Sequence, residues 1–278
     1  MYSVSAQNGQ KINHLLRELG DADLASAAWL RQRGYASNLL ARYVRSGWLV
    51  SPARGVYAIA RARLHWAGVV HALQHRDALR VHVGGRFALA WRGHEHYLAL
   101  GDKPDLVTLY GADRLPGWVG KLPLHERFLH CGKGPFAPVP FGFTNEIDAA
   151  RLLEHGLALE TEPNAGGAAI VMSGNERAML EQCDEPPGAA QILQADTVMQ
   201  ALAGLRPDVV TRLLRACRSV KAKRLFLALA ERHGHAWLAR VSLDGVDLGS
   251  GKRVLAPGGR LHRKYQITLP EALDEHLG

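Results

Sequence analysis

The feature that most restricts this chain is a short glycine turn, Gly34-Tyr35-Ala36, set between two apolar patterns of helical period. Leu24, Ala27, Ala28 and Leu30 precede the turn. Leu39, Leu40, Tyr43 and Val44 follow it, spaced to lie on one face of a helix that stops at Gly47. Two short helices joined through a glycine-containing turn are the signature of a helix-turn-helix. An earlier set, Ile12, Leu15, Leu16 and Leu19, predicts a first helix ended at Gly20, where a glycine is common. Beyond the motif, Trp48-Leu49-Val50, the turn Ser51-Pro52-Ala53-Arg54-Gly55, and Val56-Tyr57-Ala58-Ile59 read as strand, turn, strand. Three helices followed by a hairpin make residues 1–62 a winged helix-turn-helix.

The chemistry follows from the positions that the apolar pattern leaves over. In such modules the second helix of the motif enters the major groove with its N-terminal residues toward the base edges. Ser37 and Asn38 stand there, with Arg42 and Arg45 further along. Asn pairs bidentately with an adenine edge and Arg with a guanine edge. Asn38 and Arg42 are therefore the base-reading candidates, and Arg45 is a phosphate contact. Arg54 at the wing tip, Arg61 and Arg63 after it, and Arg31 and Arg33 at the end of the second helix are placed on the sugar-phosphate backbone. The expected ligand is double-stranded DNA.

Charge supports that expectation only when it is resolved along the chain. The net +8 of 278 residues is modest. Residues 1–64, however, hold nine basic side chains against three acidic ones, residues 145–200 two against ten, and residues 201–278 fourteen against seven. Two basic ends flanking an acidic middle predict two surfaces that each face an anion. The second would be carried by Arg212, Arg215, Arg218, Lys221, Lys223 and Arg224, which recur at spacings of three, with Lys252, Arg253, Arg260, Arg263 and Lys264 extending it. Cys217 falls on the apolar side of that pattern.

Residues 63–278 read as a mixed α/β region with a helical segment, so the fold class is α+β. A helical run covers Trp66 to Arg76, and strand-like runs surround Arg80–Val83 and Leu106–Tyr110. Asn145–His155 and Glu176–Cys183 read as helices. Pro186-Pro187-Gly188 marks a connection, which puts a sub-boundary near 145–188. Ala189–Arg232 is dominantly helical, and short strands close the chain. No apolar stretch approaches the ~20 residues of a membrane span, and the N-terminus has no export-signal pattern. Cys131, Cys183 and Cys217 are widely separated, as expected of three buried free thiols in a reducing compartment, so the cytoplasm is the expected location.

Enzymatic readings find weak footing. His94-Glu95-His96, His82, His125 and His130-Cys131 could supply metal ligands, but no HExxH or paired CxxC fixes their convergence. Asp102, Asp105 and Asp113 near Lys121 lack a nuclease spacing. Gly249-Ser250-Gly251-Lys252-Arg253 lacks the spacing of a phosphate-binding loop and reads as a basic turn. No cofactor or metal is expected. A metal-dependent nucleic-acid enzyme centred on His82, His94 and His96, and a stand-alone regulator with a sensor domain, are the alternatives.

Leu30, Gly34-Tyr35-Ala36, Leu39, Ser46-Gly47-Trp48-Leu49 and Arg54-Gly55-Val56-Tyr57 resemble the N-terminal domain of the AbiEi antitoxin family. A second set of blocks is similar to the C-terminal domain of the same family: Arg206-Pro207, Leu213-Leu214, Ala216-Cys217, Ser219-Val220-Lys221, Lys223-Arg224-Leu225-Phe226-Leu227, Gly234-His235-Ala236-Trp237-Leu238, Asp247–Arg253 and Lys264–Pro270. The resemblance implies that residues 63–278 form an antitoxin region. It also implies a non-enzymatic double role, repression of a shared promoter and opposition to a nucleotidyltransferase-like toxin. One departure is visible: the family often has Ser or Thr after the turn, where a hydroxyl caps the helix, and Ala36 stands here. Either Ser37 or Asn38 is then first over the base edges.

Overall fold

The computed structural model describes residues 4–20, 23–94, 105–139, 143, 152, 158–163, 169–186 and 188–273. The N-terminal unit runs α1 (Val4–Glu18), β1 (Ala25–Ser26), α2 (Ala27–Gln32), α3 (Ser37–Arg45), β2 (Leu49–Ala53) and β3 (Val56–Ile59). Its strands form an antiparallel sheet of order β1-β3-β2. Both helices of the motif end as their glycines predict. Gly34 and Gly47 take φ of +80° and +74°. Tyr35 N–H then returns to the Leu30 carbonyl, and Trp48 N–H to that of Tyr43, the bond that closes a helix on a left-handed residue. One reading of the second helix is corrected. Leu24 lies before α2 rather than within it, because Ser26 caps α2 by accepting the Trp29 N–H at 3.1 Å, and buried Trp29 takes the place assigned to exposed Ala28.

The body is built on a five-stranded sheet of order β6-β5-β4-β8-β7, from β4 (Val81–Val83), β5 (Leu106–Gly111), β6 (Arg127–Cys131), β7 (Leu159–Pro163) and β8 (Ala169–Ser173). The central β4 pairs antiparallel with β5 and parallel with β8. Around the sheet lie α4 (Trp66–His71), which continues as a π-helical turn Ala72–Arg76, α5 (Gly85–Trp91), α6 (Asn175–Asp184), α7 (Ala189–Ala201), α8 (Pro207–Ala216) and α9 (Val220–Arg232). A small sheet of β9 (Arg253–Val254), β10 (Arg260–His262) and β11 (Ile267–Leu269) closes the chain. The helix expected over Asn145–His155 lies outside the described residues, except that Leu152 is helical.

Apolar burial forms one large core in the body, with a separate satellite of Val139, Phe143, Leu152, Leu159 and Val171, and a small core in the N-terminal unit, where Ile12, Leu15, Leu19, Trp29, Leu30, Leu40 and Leu49 meet. The wing belongs to both cores. Leu49 and Ile59 face the small core, whereas Ala53, Val56 and Ala58 join the large one. Cys183 and Cys217 are buried free thiols as expected, but Cys131 is only half-buried, because β6 is an edge strand.

Several acids of the middle of the sequence are turned onto cations, most of them from elsewhere in the chain. Glu160 and Glu162 hold Arg92 at 3.1 and 2.8 Å, and Glu160 and Glu176 hold Arg206 at 2.9 Å each. Glu181 holds Arg177 at 2.8 Å, and Asp196 meets His233 at 2.8 Å. The basic excess of the flanking segments is thus partly their counter-charge.

Candidate nucleic-acid interface

Helix α3 buries Leu40 and Tyr43 against the small core and half-buries Leu39 and Val44. The opposite side presents Ser37, Asn38, Ala41, Arg42 and Arg45, all exposed and aligned by the three- and four-residue spacing of one helix face. The N-cap is Ala36, with extended backbone and no side-chain bond to the helix. The cap has not shifted to Ser37, which is the first helical residue. Asn38 compensates in part, its Oδ1 accepting the Leu39 N–H at 2.7 Å.

The flanking arginines differ in their surroundings. Arg54 stands exposed in the two-residue turn of the wing, beside Gly55 at φ +83°. Arg31, Arg61 and Arg63 are exposed as well. Arg33 is exposed but held: its guanidinium lies 3.8 Å from the centroid of the Trp29 ring, and Nε donates to Glu18 at 3.2 Å. Lys11, outside the set chosen from sequence, reaches the Gly34 carbonyl of the turn at 3.4 Å. Its signal was available as a basic residue on the polar side of the Ile12 and Leu15 pattern.

The second basic surface is not continuous, and two of its members are corrected outright. Lys223 and Arg224 are buried, each 3% exposed, because α9 lies inside the body and nearly all of its faces are covered. Arg224 is the hub of the C-terminal segment: it donates to the carbonyls of Leu248 at 2.7 Å, Gly249 at 3.0 Å and Gly251 at 2.6 Å. The Gly249–Arg253 turn therefore wraps a cation with its carbonyls, the opposite polarity to a loop that holds phosphate. Lys221 is engaged too, donating to the carbonyls of Asp184 and Glu185 at the end of α6 at 2.6 and 2.7 Å. Lys264 pairs with Glu231 at 2.7 Å, Arg215 donates to the Asp244 carbonyl at 2.8 Å, and Arg212 pairs with Asp208 at 3.4 Å. Arg218, Lys252, Arg253, Arg260 and Arg263 remain exposed.

The described histidines of this region do not assemble. His82 is buried in β4 and meets Glu181 at 3.0 Å, His94 meets Asn175 at 3.0 Å, and His130 meets the Gly111 carbonyl at 2.9 Å. His96 and Asp102 lie outside the described residues. Among the described residues no three His, Cys, Asp or Glu side chains converge as a metal site. Asp113 is committed to Arg80, 2.7 Å away. What sequence reasoning missed is a buried network on α6. Glu181, enclosed by protein, accepts from His82 Nε2, from Arg177 Nε at 2.8 Å, from the Gly85 N–H at 3.0 Å and from Ser173 Oγ at 2.8 Å. Burial alone would raise its carboxyl; the charges and hydrogen bonds of His82 and Arg177 outweigh that and bring it down to about 2. His82 itself is lowered, by burial first and then by the Arg177 charge, against the opposing pull of the Glu181 charge and hydrogen bond. Only glycine fits beside this carboxylate, since a Cβ on Gly84 would stand 2.1 Å from Glu181 Oε2.

A winged-helix unit whose α3 turns Arg42 and Arg45 outward is thus joined to an α/β body. A family model described as the N-terminal domain of the AbiEi antitoxin transcriptional regulator matches residues 8–100. A second, described as transcriptional regulator, AbiEi antitoxin, type IV toxin-antitoxin system, matches residues 105–270. The chain belongs to the AbiEi antitoxin family. The crystal structure of the Rv2827c protein from Mycobacterium tuberculosis is similar in fold, with a TM-score of 0.52 and 18% identity over 96% of this chain and 93% of that one. No curated protein sequence matches the chain. No helix among the described residues is long and apolar enough to cross a membrane.

Proposed function

We propose that this chain is a DNA-binding autorepressor and antitoxin: the winged helix holds double-stranded promoter DNA, and the body opposes a nucleotidyltransferase-like toxin. The observation that carries the DNA half is the division of α3, with Leu40 and Tyr43 inward and Ser37, Asn38, Arg42 and Arg45 outward. A helix so divided, with a basic wing beside it, suits insertion in a major groove. Asn38 and Arg42 read base edges, and Arg45, Arg54, Arg31, Arg61 and Arg63 neutralise phosphates. Asn38 must give up its bond to the Leu39 N–H before its carboxamide can face an adenine.

A gel shift with the DNA upstream of the chain's own gene, run across a salt series, tests this reading. Wild-type affinity should fall steeply with salt, and Arg42→Ala combined with Arg45→Ala should abolish the shift. Undiminished binding by the double variant would overturn the assignment. The antitoxic half rests on family membership. Its test is growth rescue when the full chain carrying the same two substitutions is co-expressed with the adjacent gene; rescue should persist, and its loss would refute the separation of roles.

A further inference from the structure

We infer that Arg76 and Asp77, at the end of the π-helical turn, are positioning residues that set the orientation of the recognition helix from the body; the inference rests on the DNA-binding reading above. Consecutive side chains of this turn reach first into the sheet and then into the N-terminal unit. Gln74, with no exposed surface, donates to the carbonyls of Val81 on β4 at 2.9 Å and Val171 on β8 at 3.0 Å, and accepts the Val171 N–H at 2.9 Å. His75 Nε2 meets the Ala169 carbonyl of β8 at 2.7 Å.

The next two residues point the other way. Arg76 donates to the carbonyls of Leu24 at 2.6 Å and Glu18 at 3.1 Å and to Asp23 Oδ2 at 2.9 Å, and its guanidinium lies 5.3 Å from the Trp29 ring centroid. Asp77 accepts the Ser26 hydroxyl at 2.6 Å, and Ser26 is the N-cap of α2. His71 adds a contact to Asp23 at 3.1 Å. The end of α1, strand β1 and the first turn of α2 are therefore gripped at once by one short segment bonded to β4 and β8.

Helix α2 passes this constraint on, because Trp29 and Leu30 share the small core with Leu40 and Tyr43 of α3. Tightly packed side chains transmit a displacement rather than absorb it. Arg76 and Asp77 are off the outward stripe of α3, so their effect on DNA must pass through orientation. Turns of π-helix are rare and lie frequently at functional sites.

The experiment compares operator affinity and its salt dependence for the full-length wild type, Arg76→Met, Arg76→Lys and Asp77→Ala, at a temperature where near-ultraviolet circular dichroism shows each to be folded. Arg76→Met keeps the stem against Trp29 and removes the donors; affinity should fall about tenfold, corresponding to ~1.4 kcal/mol, with the salt slope unchanged. Arg76→Lys should recover part of the loss, and Asp77→Ala, which leaves the Ser26 cap in place, should lose about threefold. Wild-type affinity in both Arg76→Met and Asp77→Ala would overturn the inference. So would a salt slope reduced by about one in Arg76→Met, since Arg76 would then be a phosphate contact. If Arg76→Met does not fold, Asp77→Ala decides. Failure of the underlying reading looks different, because neither the wild type nor any variant would then shift the operator.

Discussion

Glu181 shows how this molecule keeps a charge in its interior, with 1% of the residue exposed. Four donors converge on its two oxygens, and Arg177 supplies the opposite charge from the previous turn of the same helix. Removing one partner of a buried pair leaves the other uncompensated, at a cost of about 3–5 kcal/mol. Glu181→Leu should therefore lower the unfolding free energy obtained from urea titration by an amount in that range, whereas a loss under about 1 kcal/mol would mean that Arg177 finds water on its own. The pH dependence has a definite sign. Glu181, at about 2, and Glu176 and Asp23, all lie below the ordinary carboxylate range in the folded chain. For Glu176 and Asp23 burial opposes the lowering, but the bonds from Arg206, and from His71 and Arg76, prevail. Their contribution is complete above the unfolded value of about 4.3 and is lost as pH falls from there through their folded values. The urea midpoint should drop steeply below about pH 4, and Glu181→Gln should flatten that drop.

At the scale of elements, two local features invite direct tests. Helix α3 begins on Ala36, whose carbonyl accepts the Leu39 and Leu40 N–H groups but whose side chain caps nothing. Ala36→Ser should stabilise the chain by about 1 kcal/mol, read as a rise in the urea midpoint; no rise would mean that the Asn38 carboxamide already serves as the cap. The C-terminal segment depends on Arg224, whose donors hold three carbonyls between Leu248 and Gly251. Arg224→Ala should release it, so limited proteolysis should cut first between Asp247 and Leu255 while the wild type resists. The glycine turn, the wing and the apolar side of α3 were legible in the sequence, because each rests on contacts a few residues apart. The fate of Lys223 and Arg224 was not. A basic residue every third position describes an exposed stripe as well as it describes a helix enclosed by a later segment, and only the carbonyls of residues 248–251 distinguish the two. Glu181 was hidden for the same reason, since His82, Gly85 and Ser173 come from three separate elements.

For the whole molecule, the segregation of charge acquires two explanations. The N-terminal excess is outward, on Arg31, Arg42, Arg45, Arg54, Arg61 and Arg63. Part of the remaining imbalance closes on itself, with Glu160, Glu162 and Glu176 of the acidic middle meeting Arg92 and Arg206 from the flanking segments. The two apolar cores are likewise joined through the hairpin. Unfolding in urea should accordingly follow one cooperative transition, with Trp29 in the N-terminal unit and Trp237 in the body reporting the same midpoint in variants that retain one tryptophan at a time. Separate midpoints would show two independent folding units.

The shared hairpin also bears on inheritance and engineering. Ala53, Val56 and Ala58 face the body while Leu49 and Ile59 face the helices, so neither piece is a cassette. Grafting the first 62 residues onto a foreign scaffold would carry the side chains of Ala53, Val56, Ala58 and Leu24 into solvent and leave the donor with an uncovered socket. New operator preferences should therefore arise by substitution along α3 rather than by exchange of the unit that bears it.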